Sequence, residues 1–575
     1  MKSLFRPAAR WNRWAVVLLS LTLGSPTALA WQSAPAQNAP VQNAPAQKPE
    51  AKPAPALTSA ERRISTLVKA PTISAVTTAL SAKEMQGRGT AQPGGEKAAR
   101  YIANALSKLG LKPLGEAGTY LQTIKFKSEQ ILPETSLKVG DATLKFKDDF
   151  VLAPPFPSEQ KDVTAGVVFV GYGLTSTELK RDDFAGIDVK NKIVVILGGR
   201  PKNVDEAAWG KLAGPQIRFG GLIGRGVAGI VLTDFEVERQ SYSTISKYLS
   251  RRQVAFADAP VMPFKLPPII LASASGAEKL FAGSGMSFAQ TKEKAEGGEM
   301  VSRDLSKQAT LAVRVKREEG TSSNVVGALE GADPALKDQA VVYSAHYDAY
   351  GIDSEGTIYP GAADDALGVG AVMAIAEAFT KSPARPRRSI IFLIVTGEEH
   401  GLLGSEYWIK HPTWPIEKIA ADINYDGIGT EVWGPAKYVV AYGREYSDLG
   451  VMLEGVVAGM GNAVLPDPFP EEKAFYRSDH YAFVKKGVPA LMLLGAPDGD
   501  LEQFKARAKK WLDTDYHMPT DTVRPDWNWE GMRAMAVVGM ILGMRVANQD
   551  AMPAWLPSSP FNQPRGTNKP PPPPQ

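Results

Sequence analysis

The sequence predicts an α/β protein, with a mixed, mostly parallel central sheet flanked by helices and a β-rich module inserted into it. Three observations carry that expectation. After Ser323, strand-like and helix-like segments alternate, and the apolar runs at 340–345, 390–395 and 418–425 are closed by polar or glycine residues, as buried strands are. Each run is followed at once by acids or histidine: His346 and Asp348, Glu398 and Glu399, and Asp426. Open α/β sheets collect their chemistry beyond the carboxyl ends of the strands, so the three runs deliver these groups to one edge. Finally, from 163 to about 290 the texture changes to short Val/Ile-rich runs (GVVFVGYG, KIVVILGG, GVAGIVLTD, PPIILAS) separated by Gly, Pro and charged loops. That stretch reads as a separate module with its own core and no histidine.

The elements follow in order. Residues 1–30 fit a secretory signal: Lys2, Arg6, Arg10 and Arg13, an apolar stretch from Trp14 to Leu23, and Ala28-Leu29-Ala30 as a small-x-small cleavage site, with cleavage expected after Ala30. Ten or so apolar residues are too few to span a bilayer of ~30 Å at about 1.5 Å per residue. The expected location is therefore periplasmic or secreted, with no stable membrane insertion after cleavage. Residues 31–56 (Ala, Pro, Gln) and the tail 551–575, ending KPPPPPQ, read as disordered linkers that bury too little apolar surface to offset ordering. Between them we expect an N-terminal part of the main domain at 57–155, the inserted module at 156–300 and the catalytic part at 301–550. In the first, Ala98, Tyr101, Ile102, Ala105, Leu106 and Leu109 share a helix face that stops at Gly110. In the last, Val369, Val372, Met373, Ala376 and Phe379 mark a helix directly after the Asp364 loop, and a long helix follows Asp526.

Charge and cysteine content exclude several classes. The chain has 65 basic and 61 acidic residues, and loss of the four basic residues of the leader leaves 61 against 61. A neutral mature chain gives no electrostatic case for nucleic acid as partner. With no cysteine, disulfides, a lipoprotein anchor and a thiol nucleophile are all excluded.

Seven residues in the second half read as a two-metal hydrolase site: His346, Asp348, Asp364, Glu398, Glu399, Asp426 and His517. Two divalent ions need imidazoles, several carboxylates, one of them bridging, and one further carboxylate free to move protons. Taken singly the signals are weaker. Asp364-Asp365 before a helix is also a common capping arrangement, in which Asp365 caps and Asp364 points elsewhere. Glu398-Glu399 could be a solvated acidic turn, although adjacent carboxylates sit together more readily when a cation neutralises one. Of the five histidines, His400 and His411 lie in hydrophilic loops. His480, in YRSDHYAF beside Ser478 and Asp479, competes with His517 for the role of second imidazole.

GRGTAQPGGEKAARYIANALSKLGL, then GVVFVGYGL, DDFAGIDVKNKIVVILGGRP and PPIILAS, then HYD, GAADDALG, GEEHGLLGS, INYDGIG, RSDHYAFVKKGVPAL and YHMPTDT stand in one order along the chain. Together these segments resemble the M28 family of zinc aminopeptidases, in its bacterial secreted form, and the middle group resembles the protease-associated (PA) domain inserted in many members. The resemblance implies two zinc ions per chain. It implies that Asp364 bridges them, that His346 and Asp426 complete one site, and that Glu399 and His517 complete the other. It gives His517 the ligand role through the Tyr-His-x-x-x-Asp-Thr context, Glu398 the general acid/base role, and Tyr516 that of donor to the developing oxyanion. Asp348 supports His346, with Asp479 and His480 close behind, and the Asp364–Asp365 peptide is expected to be cis. Leu367 departs from the family, which often carries Ser there. The implied reaction is removal of N-terminal residues from peptides by a metal-bridged water. A glutamate-type carboxypeptidase, a glutaminyl cyclase, and a non-catalytic binding protein on the same scaffold are the alternatives, and the full ligand set disfavours the last two. The sequence leaves open the preferred N-terminal residue and the oligomeric state.

Overall fold

The computed structural model describes residues 56–157, 162–235, 241–260, 266–427, 430–497 and 501–567. The expected signal segment 1–30, with its cleavage site, and the linker as far as residue 55 lie outside the described residues. No described helix is long and apolar enough to cross a membrane. The chain divides into two compact units, one formed by the described parts of Pro45–Lys127, Val254–Asp258 and Glu319–Gln575, the other by those of Ser128–Gln253 and Ala259–Glu318.

The first unit is built on a ten-stranded sheet. Its order is Gln253–Phe256, Leu121–Ile131, Val315–Leu329, Ser389–Val395, Ala340–His346, Ile419–Asn424, Ala490–Pro497, Ala436–Tyr442 and Ala463–Leu465, with Lys112–Pro113 paired to Val315–Leu329. The four strands from Ser389–Val395 to Ala490–Pro497 run parallel, and antiparallel partners flank them. Every residue of Ser389–Val395, Ala340–His346 and Ile419–Asn424 is buried, because helices cover both faces. Register decides what these strands present. His346 lies opposite Val395, and Ser344 opposite Asn424, so the strands end nearly level and the Glu398 and Asp426 loops start beside His346.

On one face the helices Ala70–Ser81, Pro93–Lys108, Leu367–Lys381 and Trp529–Asn548 share a core with Val341, Tyr343, Ile390, Phe392 and Ile423. The central helix, Leu367–Lys381, buries twelve of its residues, and Leu367 itself packs in that core. Small residues set the spacing. A Cβ on Gly370 would lie 2.9 Å from the Ile73 carbonyl oxygen. Gly539 and Gly543 leave room for two tyrosine hydroxyls: Tyr425 donates to the Met535 carbonyl and Tyr343 to the Gly539 carbonyl, both at 3.0 Å. The opposite face is covered by Leu403–Lys410, His480–Val484 and Leu501–Thr514.

The C-terminal stretch corrects an expectation. Up to Thr567 the tail is not a loose linker: Trp555 and Phe561 are buried in the second face's core, the Trp555 indole donates to the Gly487 carbonyl at 3.0 Å, and Arg565 donates to the carbonyls of Ile419 and Ala420. Two aromatic anchors within a proline-rich stretch supply the apolar burial that its average composition conceals.

The second unit carries an eight-stranded sheet in the order Ala142–Leu144, Ser136–Val139, Arg303–Ala312, Val163–Phe169, Ile193–Leu197, Gly229–Thr233, Ile269–Ala272 and Phe150–Ala153. Its middle strands are parallel, and the helices Glu206–Leu212, Pro215–Gly224, Tyr242–Leu249, Ala274–Phe281 and Phe288–Glu296 accompany them. The unit extends beyond the expected 156–300 span because strands at 136–153 and 303–312 complete its sheet. Ser136–Val139 and Arg303–Ala312 alternate buried with more exposed residues and Phe150–Ala153 is buried throughout, patterns that say nothing of which sheet a strand joins.

The packed tail generates a test. Phe561→Ala is expected to lower the unfolding free energy by about 3–5 kcal/mol, read from chemical denaturation; an unchanged midpoint would mean that the tail contributes nothing to the core.

Candidate metal centre

The loops beyond the parallel strand ends bring the predicted acids and imidazoles together in two groups, His346 with Asp364 and Asp426, and Asp364 with Glu399 and His517. Asp364 belongs to both. Its Oδ1 lies 3.2 Å from His346 Nε2 and its Oδ2 lies 3.1 Å from His517 Nε2. Asp426 Oδ1 stands 3.5 Å from His346 Nε2, and Glu399 Oε2 stands 3.0 Å from His517 Nε2. Donors on a tetrahedral zinc with bonds of about 2.0–2.1 Å are ~3.3 Å apart, so the four imidazole–carboxylate separations fit edges of a zinc site, and the donor atoms of each group all lie within 4.8 Å of one another.

Local structure fixes each donor. Gly361 adopts φ 56° to start the Asp364 turn, the Asp364–Asp365 peptide is cis, and Asp365 turns its own carboxylate to the Gly368 N–H at 2.9 Å. Asp521 grips the same turn, accepting from the N–H groups of Ala363 and Asp364 at 2.9 and 3.1 Å. His346 Nδ1 is 3.1 Å from the Asp348 carbonyl oxygen. A proton on Nδ1 directed there leaves the Nε2 lone pair facing Asp364 and Asp426. Asp348 therefore meets His346 mainly through its backbone, while its carboxylate accepts from Thr90 Oγ1 at 3.0 Å and from the Glu398 N–H at 3.2 Å. His517 Nδ1 lies 3.4 Å from the Tyr350 hydroxyl, and the Tyr516 ring stacks on the His517 ring at 3.6 Å.

The electrostatics suit divalent cations. Burial alone pushes the His346 imidazole down, yet its hydrogen bonds to Asp348, Asp364 and Asp426 outweigh it and raise its proton affinity well above the ordinary value. His517 is raised in the same way by Glu399 and Asp364. Burial holds Glu398 well above the usual carboxylate range, reinforced by Asp426, Asp479 and Glu399. It also raises Glu399, and keeps the Tyr516 hydroxyl protonated as a donor. A site that draws protons onto its imidazoles so strongly is one where a cation can replace them. Side-chain exposure is zero at His346, 12% at Glu398, 14% at Asp426 and 20% at His517. Access is thus from the Glu398, Asp426 and His517 side.

Asp479 lies close behind, accepting from Ser405 Oγ at 2.5 Å and interacting electrostatically with His346 and Asp426; burial pushes it up to about 7. His480, expected beside it as a supporting group, is a correction. It begins the helix His480–Val484 and its ring meets Phe475 at 5.2 Å within an aromatic cluster, where burial pushes it down to about 3 and leaves it neutral. His400, read from the sequence as a histidine of a hydrophilic loop, has its ring 6.1 Å from the Tyr350 ring that also packs on His517. Sequence reasoning missed Asp521, Tyr350, Thr90 and Arg477, the last paired with Glu472 at 3.3 Å and within electrostatic reach of Tyr516, Glu398 and Asp426. Their signals were the Asp four residues after His517, the Tyr two after Asp348, the GRGT motif, and the Arg heading RSDH.

Residues 324–540 match the family model "Peptidase family M28". The matched segment spans all the metal-site donors. A vacuolar membrane protease of Clavispora lusitaniae is 30% identical over 174 residues, which are 30% of this chain and 15% of that protein. A probable leucine aminopeptidase 2 of Aspergillus oryzae is 27% identical over 232 residues, 37% of this chain and 42% of that protein. The chain thus spans less than half the length of these curated relatives. Among solved structures, an aminopeptidase from Aneurinibacillus sp. strain AM-1 superimposes with a TM-score of 0.56 at 20% identity, over 86% of this chain and 97% of that one, which shows a shared fold.

The geometry separates the two histidines in one experiment. His517→Ala is expected to lower bound zinc by about one ion per chain in elemental analysis, whereas His480→Ala keeps the metal and lowers the unfolding midpoint. The reverse pattern would exchange their roles.

Proposed function

We propose that this chain is a secreted di-zinc metallo-aminopeptidase that hydrolyses N-terminal residues from peptides. The observation that carries the reading is the Asp364 carboxylate, whose two oxygens face two different imidazoles in donor groups that each match a zinc coordination edge. His346 and Asp426 would hold one zinc ion and Glu399 and His517 the other, with Asp364 between them. Bound there, the ions would supply a water of lowered pKa and polarisation of the scissile carbonyl. The match to peptidase family M28 and the likeness to a probable leucine aminopeptidase support peptide as the substrate class.

The chain's own groups perform the proton transfers. Glu398 is adjacent in sequence to the ligand Glu399, and its Oε2 lies 3.9 Å from His346 Nε2, beside both donor groups but committed to neither. Its raised proton affinity suits a group that takes a proton from the attacking water and returns it to the leaving amine. The main-chain N–H of Glu398 is tied to Asp348, which holds the carboxylate's starting point as the proton moves. Tyr516, protonated and stacked on His517, directs its hydroxyl as a donor to charge developing on the carbonyl oxygen. The signal-like residues 1–30 support export, and GVVFVGYGL, KIVVILGGRP and PPIILAS support a protease-associated character for the second unit.

Glu398→Gln is expected to reduce kcat on an aminoacyl anilide by roughly 10²–10⁴-fold while two zinc ions per chain remain bound. Retained turnover, or loss of metal, would sink the assignment. An N-blocked peptide that ends in a C-terminal glutamate, assayed with the wild-type chain, is expected to resist cleavage; release of its glutamate would favour the carboxypeptidase alternative.

A further inference from the structure

The GRGT motif has no part in the proton transfers, yet its arginine is among the largest fully buried side chains in the molecule. Arg88 makes no direct ion pair among the described residues. Its guanidinium is spent on four main-chain carbonyls: Nε donates to Tyr347 at 2.5 Å, Nη1 to Leu80 and Pro360 at 2.7 and 2.6 Å, and Nη2 to Gly361 at 2.6 Å. Tyr347 follows the ligand His346, and Gly361 opens the turn that carries Asp364. One planar group thus spans the two chain segments whose ligands must meet.

The residues around it repeat the pattern. Thr90 donates to the Asp348 carboxylate at 3.0 Å, and Gln92 exchanges hydrogen bonds with the backbone of Ile352 at 2.9 and 3.0 Å. Gly87, at φ 66°, and Gly89 permit the approach: a Cβ on the first would fall 2.4 Å from the Tyr359 carbonyl oxygen, and on the second 2.8 Å from Gly351 Cα. The 87–92 segment therefore lies along residues 347–361 and meets them through Gly87, Arg88, Gly89, Thr90 and Gln92, while the Ala91 N–H donates to Ser322 Oγ at 2.8 Å.

We propose that Arg88 is a positioning residue for the metal centre, its guanidinium fork setting the distance between His346 and the Asp364 turn and so selectively shaping the zinc site completed by Asp426. Burial lowers its pKa only to about 10, so it stays charged, within reach of the carboxylates of Asp521, Asp348, Asp365 and Asp364. A lysine would keep that charge but lose the planar fork that reaches four carbonyls from three nitrogens. The proposal rests on the two-zinc reading of the site.

The test is a competition titration of zinc against a chelator, with unfolding midpoints measured on the same samples. The wild-type chain is expected to show two resolvable zinc affinities. Arg88→Lys is expected to weaken one of them at least tenfold, the one also lost in Asp426→Ala, and to leave the other within about twofold. Thr90→Val, a gentler change on the same segment, is expected to weaken the same site and serves if Arg88→Lys does not fold. A lower midpoint with both affinities unchanged, or an equal loss at both sites, would show a structural role only and overturn the proposal. A wild-type chain that binds no zinc would instead overturn the metal reading, and the proposal with it.

Discussion

A single carboxylate facing two imidazoles is the constraint around which the first unit is arranged. Asp364 must sit within 3.2 Å of His346 and 3.1 Å of His517, residues that arrive from a strand end and from the loop after the helix Leu501–Thr514. Several like charges then lie close together in a poorly solvated place, where each carboxylate would otherwise be driven toward its neutral form. The rise in proton affinity at both imidazoles, and at Glu398 and Glu399, expresses that pressure. Bound cations would relieve it more completely than protons do, and on the proposed reading they would leave Glu398 free to exchange its own proton.

Holding such a site costs polar groups elsewhere. Asp521 accepts two main-chain N–H groups of the Asp364 turn, Asp348 accepts from Thr90 and Glu398, and Arg88 ties down four carbonyls. None of these is a candidate ligand. They act on the backbone beside the ligands, which converts a loop into a rigid mount, and buried polar groups of this kind persist only when satisfied. The parallel sheet supplies the remaining rigidity, since three strands in fixed register place their loops within a few ångströms of one another before any side chain is considered.

The peptidase-like unit is also not contiguous in sequence. Between the two stretches of the second unit, Val254–Asp258 belongs to the first. There the Ala257 N–H donates to the Lys125 carbonyl at 2.9 Å, and Val254 packs with Ile124 and Phe126. The strand Gln253–Phe256 thereby covers what would otherwise be the open edge of Leu121–Ile131, a place where an unpaired strand invites association.

Of the candidate ligands, Asp364 and His517 stand in polar loops and were placed only by their motifs, whereas His346, Glu399 and Asp426 were legible in the sequence because each terminates or closely follows an apolar run, and the length of such runs is a local property of the chain. For the same reason the helix after Asp364 and the long helix after Asp526 could be read directly. Tertiary structure alone decided the rest. His480 and His517 sit in equally polar motifs, which the family resemblance ranked in favour of His517, and the packing of Phe475 against one and of Tyr516 and Tyr350 against the other gives the physical difference between a core ring and a candidate ligand. Trp555 and Phe561 were hidden by proline-rich surroundings, and the sheet that Ser136–Val139 joins by an alternation that any sheet could accept. Arg88 and Asp521 stand in motifs that the sequence displays, but what they do there could not be read from it, because most of their partners are backbone atoms far away in the chain. Sequence determines which side chains are available and where the strands end; which main-chain groups come within hydrogen-bonding distance is a property of the folded chain.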